Sequence, residues 1–334
     1  NNDLTLRIEA AAARLQVWQE PLPPAFSGEG CVVSVEGVWA FADPQQPEVV
    51  VKTSTADRRR WRFERRRVDD GVLVAAFELP GGEDRRPDGA WDGDFKVLGV
   101  ETVTAGADPV QALVLIASAD YDGQPRGALA VAAADGAVLW RYAVGPRPYA
   151  DTARLIDLDG DGAREVLFAG AAVGNLDGQT FHGTSDDTAR VFALDLAGRL
   201  RWSHPGGVHP GNAFIATVDA DRDGRTEVVV ATQSHREATG SLELLDADGR
   251  LLDTLACGEL LRDLHAVGPT EAGADVALMR QDGTIVTVHV SAGGLAWGRA
   301  AALQPHSHLV GVADCLPEPG PELLVRGHDE SAWI

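Results

Sequence analysis

Short apolar runs separated by Gly-, Asp- and Pro-rich turns recur along the whole chain. Arg154-Leu155-Ile156, Val166-Leu167-Phe168, Ile215-Ala216-Thr217-Val218 and Val228-Val229-Val230 are rich in β-branched residues, and their length predicts strands. Toward the N-terminus, Leu4-Thr5-Leu6-Arg7-Ile8 alternates apolar and polar side chains as a half-buried strand does. Ala10 to Leu15 has helical composition and ends before Pro21-Leu22-Pro23-Pro24. Cys31 to Val35, Val38 to Phe41, Val49 to Val51 and Val72 to Phe77 predict further strands. Residues 1–97 therefore read as a small antiparallel, sandwich-like β-domain. Pro80 to Gly93 reads as a linker or long loop.

From residue 98 to 334 the pattern repeats, in four recognisable units and a partial fifth. Each unit has two halves. The second half is a hairpin turning at a glycine, with a fixed position four residues on. The glycines are Gly136, Gly198, Gly249 and Gly293, and that later position holds Trp140, Trp202, Asp253 and Trp297. The first half is a hairpin around an acidic loop. Two hairpins make a four-stranded antiparallel unit, and units of roughly 50 to 60 residues fall within the range of propeller repeats. The expected fold is all-β: a β-propeller of four-stranded blades preceded by the N-terminal β-domain. The last blade lacks its fourth strand, which either an N-terminal segment supplies or a longer chain provides.

The acidic loops are Asp157-Leu158-Asp159-Gly160-Asp161-Gly162-Ala163-Arg164-Glu165 and Asp219-Ala220-Asp221-Arg222-Asp223-Gly224-Arg225-Thr226-Glu227. Both fit D-x-D-x-D-G-x-x-E. Carboxylates at alternate positions converge when the backbone curls, and the glycine permits that turn. The carbonyls of Ala163 and Arg225 and the carboxylates of Glu165 and Glu227 could complete a shell of hard oxygen ligands, which suits Ca²⁺. The loops are not EF-hands: the twelfth positions are Phe168 and Val230, and the flanks are strands. The third unit, His265 to Met279, keeps only Asp275. The partial fifth keeps Asp314 and Glu322 but has Pro319 in place of the glycine.

These loops, followed by Val-Leu-Phe-Ala-Gly and Val-Val-Val-Ala-Thr, resemble FG-GAP/VCBS-type repeats, the calcium-binding blades of integrin-α-like propellers. The second halves, such as Val191 to Trp202, are similar to quinoprotein-like (PQQ-type) blade hairpins. The resemblance covers roughly residues 98 to 334. It implies two structural Ca²⁺ ions, one on Asp157, Asp159, Asp161 and Glu165 and one on Asp219, Asp221, Asp223 and Glu227. It implies no single activity, because one fold hosts many functions.

Charge narrows the partners. The 334 residues carry a formal charge of −21, which argues against nucleic acid and fits cation binding. No 18-residue apolar run predicts a membrane-spanning segment. The three cysteines, Cys31, Cys257 and Cys315, give no disulfide framework and read as buried thiols. The chain begins at Asn1 and its one methionine is Met279, as in a processed product or an excised piece of a longer protein. Weak calcium loops are best served where calcium is abundant, so an extracellular, cell-surface or periplasmic home is expected, including that of a membrane protein's ectodomain.

If the acidic loops join strands one and two of each blade, the other links lie on the opposite face. His182, His204, His209, His235, His306 and His308 fall in or beside those links and mark that face as a ligand site. Seven arginines between Arg58 and Arg67 suggest either an anionic partner or a solvated strand face that pairs with the acidic remainder of the chain, with Trp61 and Phe63 on the other side; the second is favoured. No G-x-S-x-G elbow, P-loop or G-x-G-x-x-G follows a strand. The expected function is a calcium-stabilised binding module for protein or glycan. The alternative is a polysaccharide lyase or hydrolase, in which Arg154, Arg262, His209 or His308 would meet in the central funnel.

Overall fold

A computed structural model describes residues 5–10, 15–41, 43–82, 93–105, 108–119, 123–302, 308–313, 322–326 and 332–333. The chain divides into two compact units, Asn1–Val144 and Gly145–Ile334.

The first unit opens with a hairpin of β1 (Thr5–Ala10) and β2 (Leu15–Pro21). Ala10 pairs with Leu15, so both ends of the segment read as helical lie in strands, and residues 11–14 lie outside the described residues. Then come two antiparallel sheets whose strands follow chain order. The first holds β3 (Val33–Trp39), β4 (Glu48–Ser54), β5 (Arg60–Arg67) and β6 (Leu73–Pro80). The second holds β7 (Gly93–Ala105), β8 (Asp108–Ala119), β9 (Arg126–Ala132) and β10 (Val138–Ala143). The boundary drawn between residues 97 and 98 falls inside β7. Residues 33–80 lack acidic loops but share the strand order of the later repeats, so their sequence differs where their topology does not.

In the second unit, β11 (Arg147–Pro148) and β12 (Arg154–Ile156) both pair with β13 (Glu165–Ala171), which continues to β14 (Thr188–Leu194) and β15 (Leu200–Val208). Next are β16 (Gly211–Val218), β17 (Glu227–Ser234), β18 (Thr239–Leu245) and β19 (Leu251–Ala256). They are followed by β20 (Leu261–Thr270), β21 (Gly273–Arg280), β22 (Thr284–Ser291) and β23 (Gly294–Ala302). A three-stranded sheet of β24 (His308–Ala313), β25 (Glu322–Arg326) and β26 (Ala332–Trp333) ends the series. The first strands β16, β20 and β24 lie side by side, as successive sheets pack face to face. Serial four-stranded antiparallel sheets packed in this way are β-propeller blades, and the chain is an all-β protein of that class.

Packing explains the apolar runs. Each second strand is covered on both faces: every residue of β13 and β17 is buried. Outer strands are largely exposed; in β19, Leu251 and Leu252 stand in solvent, and so does most of β23. Leu242, Leu244, Val276, Leu278 and Val288 form one core between two adjacent blades.

The turn glycines have a role beyond turning. A Cβ on Gly249, whose φ is +77°, would lie 2.5 Å from the ring of Trp202 on the preceding blade. Trp202 Nε1 also donates to Ala247 O at 2.9 Å in the same turn. Asp253 does likewise one blade later: its Oδ2 would meet a Cβ on Gly294 at 2.2 Å and accepts from Leu295 N at 2.8 Å. In the first unit Phe77 covers Gly136. Glycines at or beside these turns (Gly136, Gly249 and Gly294) thus each receive a side chain of the preceding blade, from Phe77, Trp202 and Asp253 in turn.

The arginine-rich strand β5 pairs with the chain's own acids as expected, but part of it is buried and not solvated. Trp61 and Phe63 are buried as expected, and so are Arg65 and Arg66. Arg65 grips Glu48 with Nε at 2.8 Å and Nη2 at 3.1 Å, and stacks over Phe41. Glu64 accepts from Arg62 Nε and Arg66 Nε, each at 2.7 Å. These cations answer the chain's own carboxylates, which satisfies buried charge.

Candidate functional site

Both ends of the second unit carry chemistry. At one end the acidic loops join β12 to β13 and β16 to β17, that is, strands one and two of their blades. Asp157, Asp159 and Glu165 bring one ligand oxygen each within 4.8 Å of one another, and so do Asp219, Asp221 and Glu227. Asp161 and Asp223 instead accept from Ala163 N and Arg225 N, each at 2.7 Å. Glu165 and Glu227 are buried and accept from Leu158 N at 2.9 Å and Ala220 N at 2.7 Å, which ties each loop's end to its beginning. The loops also touch each other: Thr226 N donates to Leu158 O at 2.8 Å.

Their electrostatics differ. In the first loop, Arg201 of β15 donates to Glu165 Oε1 and, at 2.5 Å, to Asp159 Oδ2. Asp157 is satisfied by Gly160 N at 2.8 Å and Gly162 N at 2.9 Å. In the second loop, Asp219 Oδ1 is buried and accepts no hydrogen bond. Arg225 turns to Asp248 at 2.8 Å, and Arg222 donates to Thr270 O. The carboxyl of Glu227 is pushed up by burial, against the hydrogen bond from Ala220, and further by Asp221, Asp219 and Asp223. The donor set of the second loop therefore fits a hard divalent cation. In the first loop two of the three converging carboxylates already hold a guanidinium.

At the opposite end, where first strands begin and second strands finish, a cavity of about 290 Å³ opens between blades. Its polar lining includes Arg262, Asp263, His308, Asn212, His235 and Gln281. Tyr149 stacks on Phe214 and donates its hydroxyl to Asn212 Oδ1 at 2.7 Å. Asn212 must then present Nδ2 to His235 Nε2, 3.2 Å away, which makes that ring nitrogen the acceptor. Arg262 Nη2 lies 3.4 Å from His308 Nε2, and His308 Nδ1 lies 3.7 Å from Asp263 Oδ2. Arg262 Nη1 is buried and makes no hydrogen bond.

A second cavity of about 220 Å³ runs along the first strands, lined by Arg154, Thr217, His265 and Val312 among others. Burial lowers the pKa of His265, opposed by Asp263 and the hydrogen bond with Leu309, with Arg154 adding a smaller downward push. A histidine whose folded pKa lies below its unfolded value near 6.5 contributes stability fully above that value and loses it as pH falls. The wild-type melting midpoint should therefore drop more steeply than that of His265→Gln as pH is lowered from about 6.5. Parallel curves from melts across that range would show that His265 titrates alike in both states.

The remaining expected ligand-face residues divide. His235 and His308 join the cavity. His204 lies within β15 and pairs with Glu243 at 2.5 Å. His209 sets Nδ1 3.0 Å from Ala172 O and packs on Gly174, anchoring the long β13–β14 connection. His182 is exposed in that connection, and His306 lies outside the described residues. Asn212, Gln281 and Asp263 were not singled out from sequence, because isolated amides and one aspartate carry no spacing signal.

No protein-family model and no curated protein sequence matches the chain. Among solved structures, BBS1N in complex with ARL6DN, soaked with mercury, is similar over 99% of this chain and 87% of that one, with 11% identity and a TM-score of 0.48. The Dos1 propeller matches over 90% of this chain and 66% of its own, so this chain spans about two thirds of it, with 11% identity and a TM-score of 0.46. Raptor from Chaetomium thermophilum matches over 93% of this chain and 24% of its own, at 14% identity and a TM-score of 0.42.

Proposed function

We propose that this protein is a calcium-stabilised propeller module that binds a carboxylate group of a partner in the Arg262 cavity, on the face opposite the acidic loops. The observation that carries the reading is the guanidinium of Arg262 lining one concave site together with His235 and His308. A guanidinium suits planar, bidentate recognition of a carboxylate. A cavity of about 290 Å³ accommodates one side chain or one sugar ring, not an extended oligomer. Calcium belongs to this reading through Asp219, Asp221 and Glu227, where it would supply the missing positive charge. An extracytoplasmic location follows from the calcium.

The test uses trigalacturonate and a triglutamate peptide as probes, with trigalactose and a triglutamine peptide as neutral controls, in isothermal titration. Binding of one acidic probe and not its neutral counterpart is expected, falling at least 30-fold in Arg262→Ala, since a buried charge pair is worth about 2–5 kcal/mol. Failure of both acidic probes, or equal binding of acidic and neutral ones, would overturn the reading. The uronate and peptide arms separate a glycan from a protein partner.

One observation favours the enzyme reading: Arg262 and His308 meet, as a lyase that neutralises a uronate carboxylate and removes its neighbouring proton requires. That reading predicts ultraviolet-absorbing unsaturated products from polygalacturonate, abolished in His308→Ala. The binding reading predicts a constant absorbance.

A further inference from the structure

We infer that Arg201 is an internal cation that takes the place of a divalent ion in the first acidic loop, so that the two loops, alike in sequence, differ in what neutralises them. The inference rests on the proposal of calcium at the second loop only for its comparison; the claim about Arg201 stands on the first loop's own contacts.

Arg201 bridges Glu165 Oε1 and Asp159 Oδ2, two of the three groups that converge there. An ion would need those oxygens at about 2.3–2.6 Å, with their lone pairs directed at it. Both oxygens instead accept guanidinium N–H groups, which bring a positive charge to the place an ion would take. Arginine stays protonated at every pH at which the protein folds, so deprotonation cannot vacate the position. Asp157, the remaining carboxylate, has both oxygens answered by glycine N–H groups. The loop's acceptors are thus provided for within the chain.

The matching place in the next blade shows the contrast. Counting from the turn glycines Gly198 and Gly249, Arg201 corresponds to Leu252, which is 47% exposed. Leucine offers the second loop no charge. Its two arginines turn to Asp248 and Thr270 O, and Asp219 Oδ1 is left buried without a donor. One substitution on the fourth strand thus separates an internally neutralised loop from one that needs an outside cation. The D-x-D-x-D-G-x-x-E pattern cannot reveal this, because the arginine lies 36 residues beyond Glu165.

The test counts Ca²⁺ by isothermal titration on metal-stripped protein, with Mg²⁺ as control. Wild type should bind one ion, and Arg201→Leu, which copies the second loop, should bind two. Asp159→Asn should leave wild-type stoichiometry at one, and Asp221→Asn should reduce it to none. If Arg201→Leu fails to fold, the two aspartate variants still decide the matter. Wild type binding two ions, with Asp159→Asn losing one, would overturn the inference. No ion in wild type but one in Arg201→Leu would sustain it and defeat the calcium proposal for the second loop. No ion in either folded protein would overturn both.

Discussion

Glu64→Ala should destabilise the protein by about 3–5 kcal/mol, the usual cost of stranding a buried charge. Glu64 is 1% exposed and holds Arg62 and Arg66 on either side, each through Nε at 2.7 Å. Removing the carboxylate takes away the acceptor of Nε on Arg66, a buried side chain whose Nη1 donates to Gly71 O. Arg62 keeps only a distant contact with Glu78 at 3.9 Å. Glu64→Gln should be nearly as damaging, because its amide nitrogen would face guanidinium donors. A triple replacement, Arg62→Met/Glu64→Leu/Arg66→Met, should recover most of the loss, since an apolar trio avoids desolvating three charges. Urea unfolding reads this as a lower midpoint at unchanged slope for the single variants. A loss under about 1 kcal/mol in Glu64→Ala would mean that β5 behaves as a solvated surface after all.

Trp202→Ala should cost about 2–4 kcal/mol, somewhat less than full truncation of a core aromatic because the indole is only partly buried. The ring of one blade closes the turn of the next, against Gly249, and its N–H holds Ala247 O. The variant loses packing across a joint between blades as well as a hydrogen bond. Gly249→Ala probes the same joint from the other side: the residue sits at φ +77°, and the new methyl would need the space of the ring. The double variant should cost less than the sum of the singles, because the vacated ring makes room for the methyl. Thermal melts of the three proteins measure that coupling, and strict additivity would show that ring and glycine do not act as a pair.

The Asp253 position shows why sequence pattern and packing role can part. Counted against tryptophan, Asp253 looks like a lost repeat. Packed against Gly294, it fills the same joint with a carboxylate that accepts a backbone N–H instead of an indole that donates one. The arginine-rich strand shows the converse. Its alternation correctly put Trp61 and Phe63 inside, but alternation cannot report that Arg65 on the same face is buried against Glu48, or that on the other face Glu64 is buried between Arg62 and Arg66.

By itself the sequence determined the strand-rich class, the four-stranded repeat, the two acidic loops and which side of each blade bears them. All of these are local: a period of two, a turn glycine and a carboxylate spacing are set by the backbone over ten residues or fewer. It also placed most histidines on the opposite face, through chain order alone. Only the tertiary structure decided which polar residues meet there. Tyr149, Asn212, His235, Arg262 and His308 come from separate strands and links, and no short-range rule relates them. It also decided that Arg201 reaches back to the first acidic loop while Leu252 leaves the second uncovered. Coulomb energy depends on distance in space and on burial, and the folded sheets alone set both.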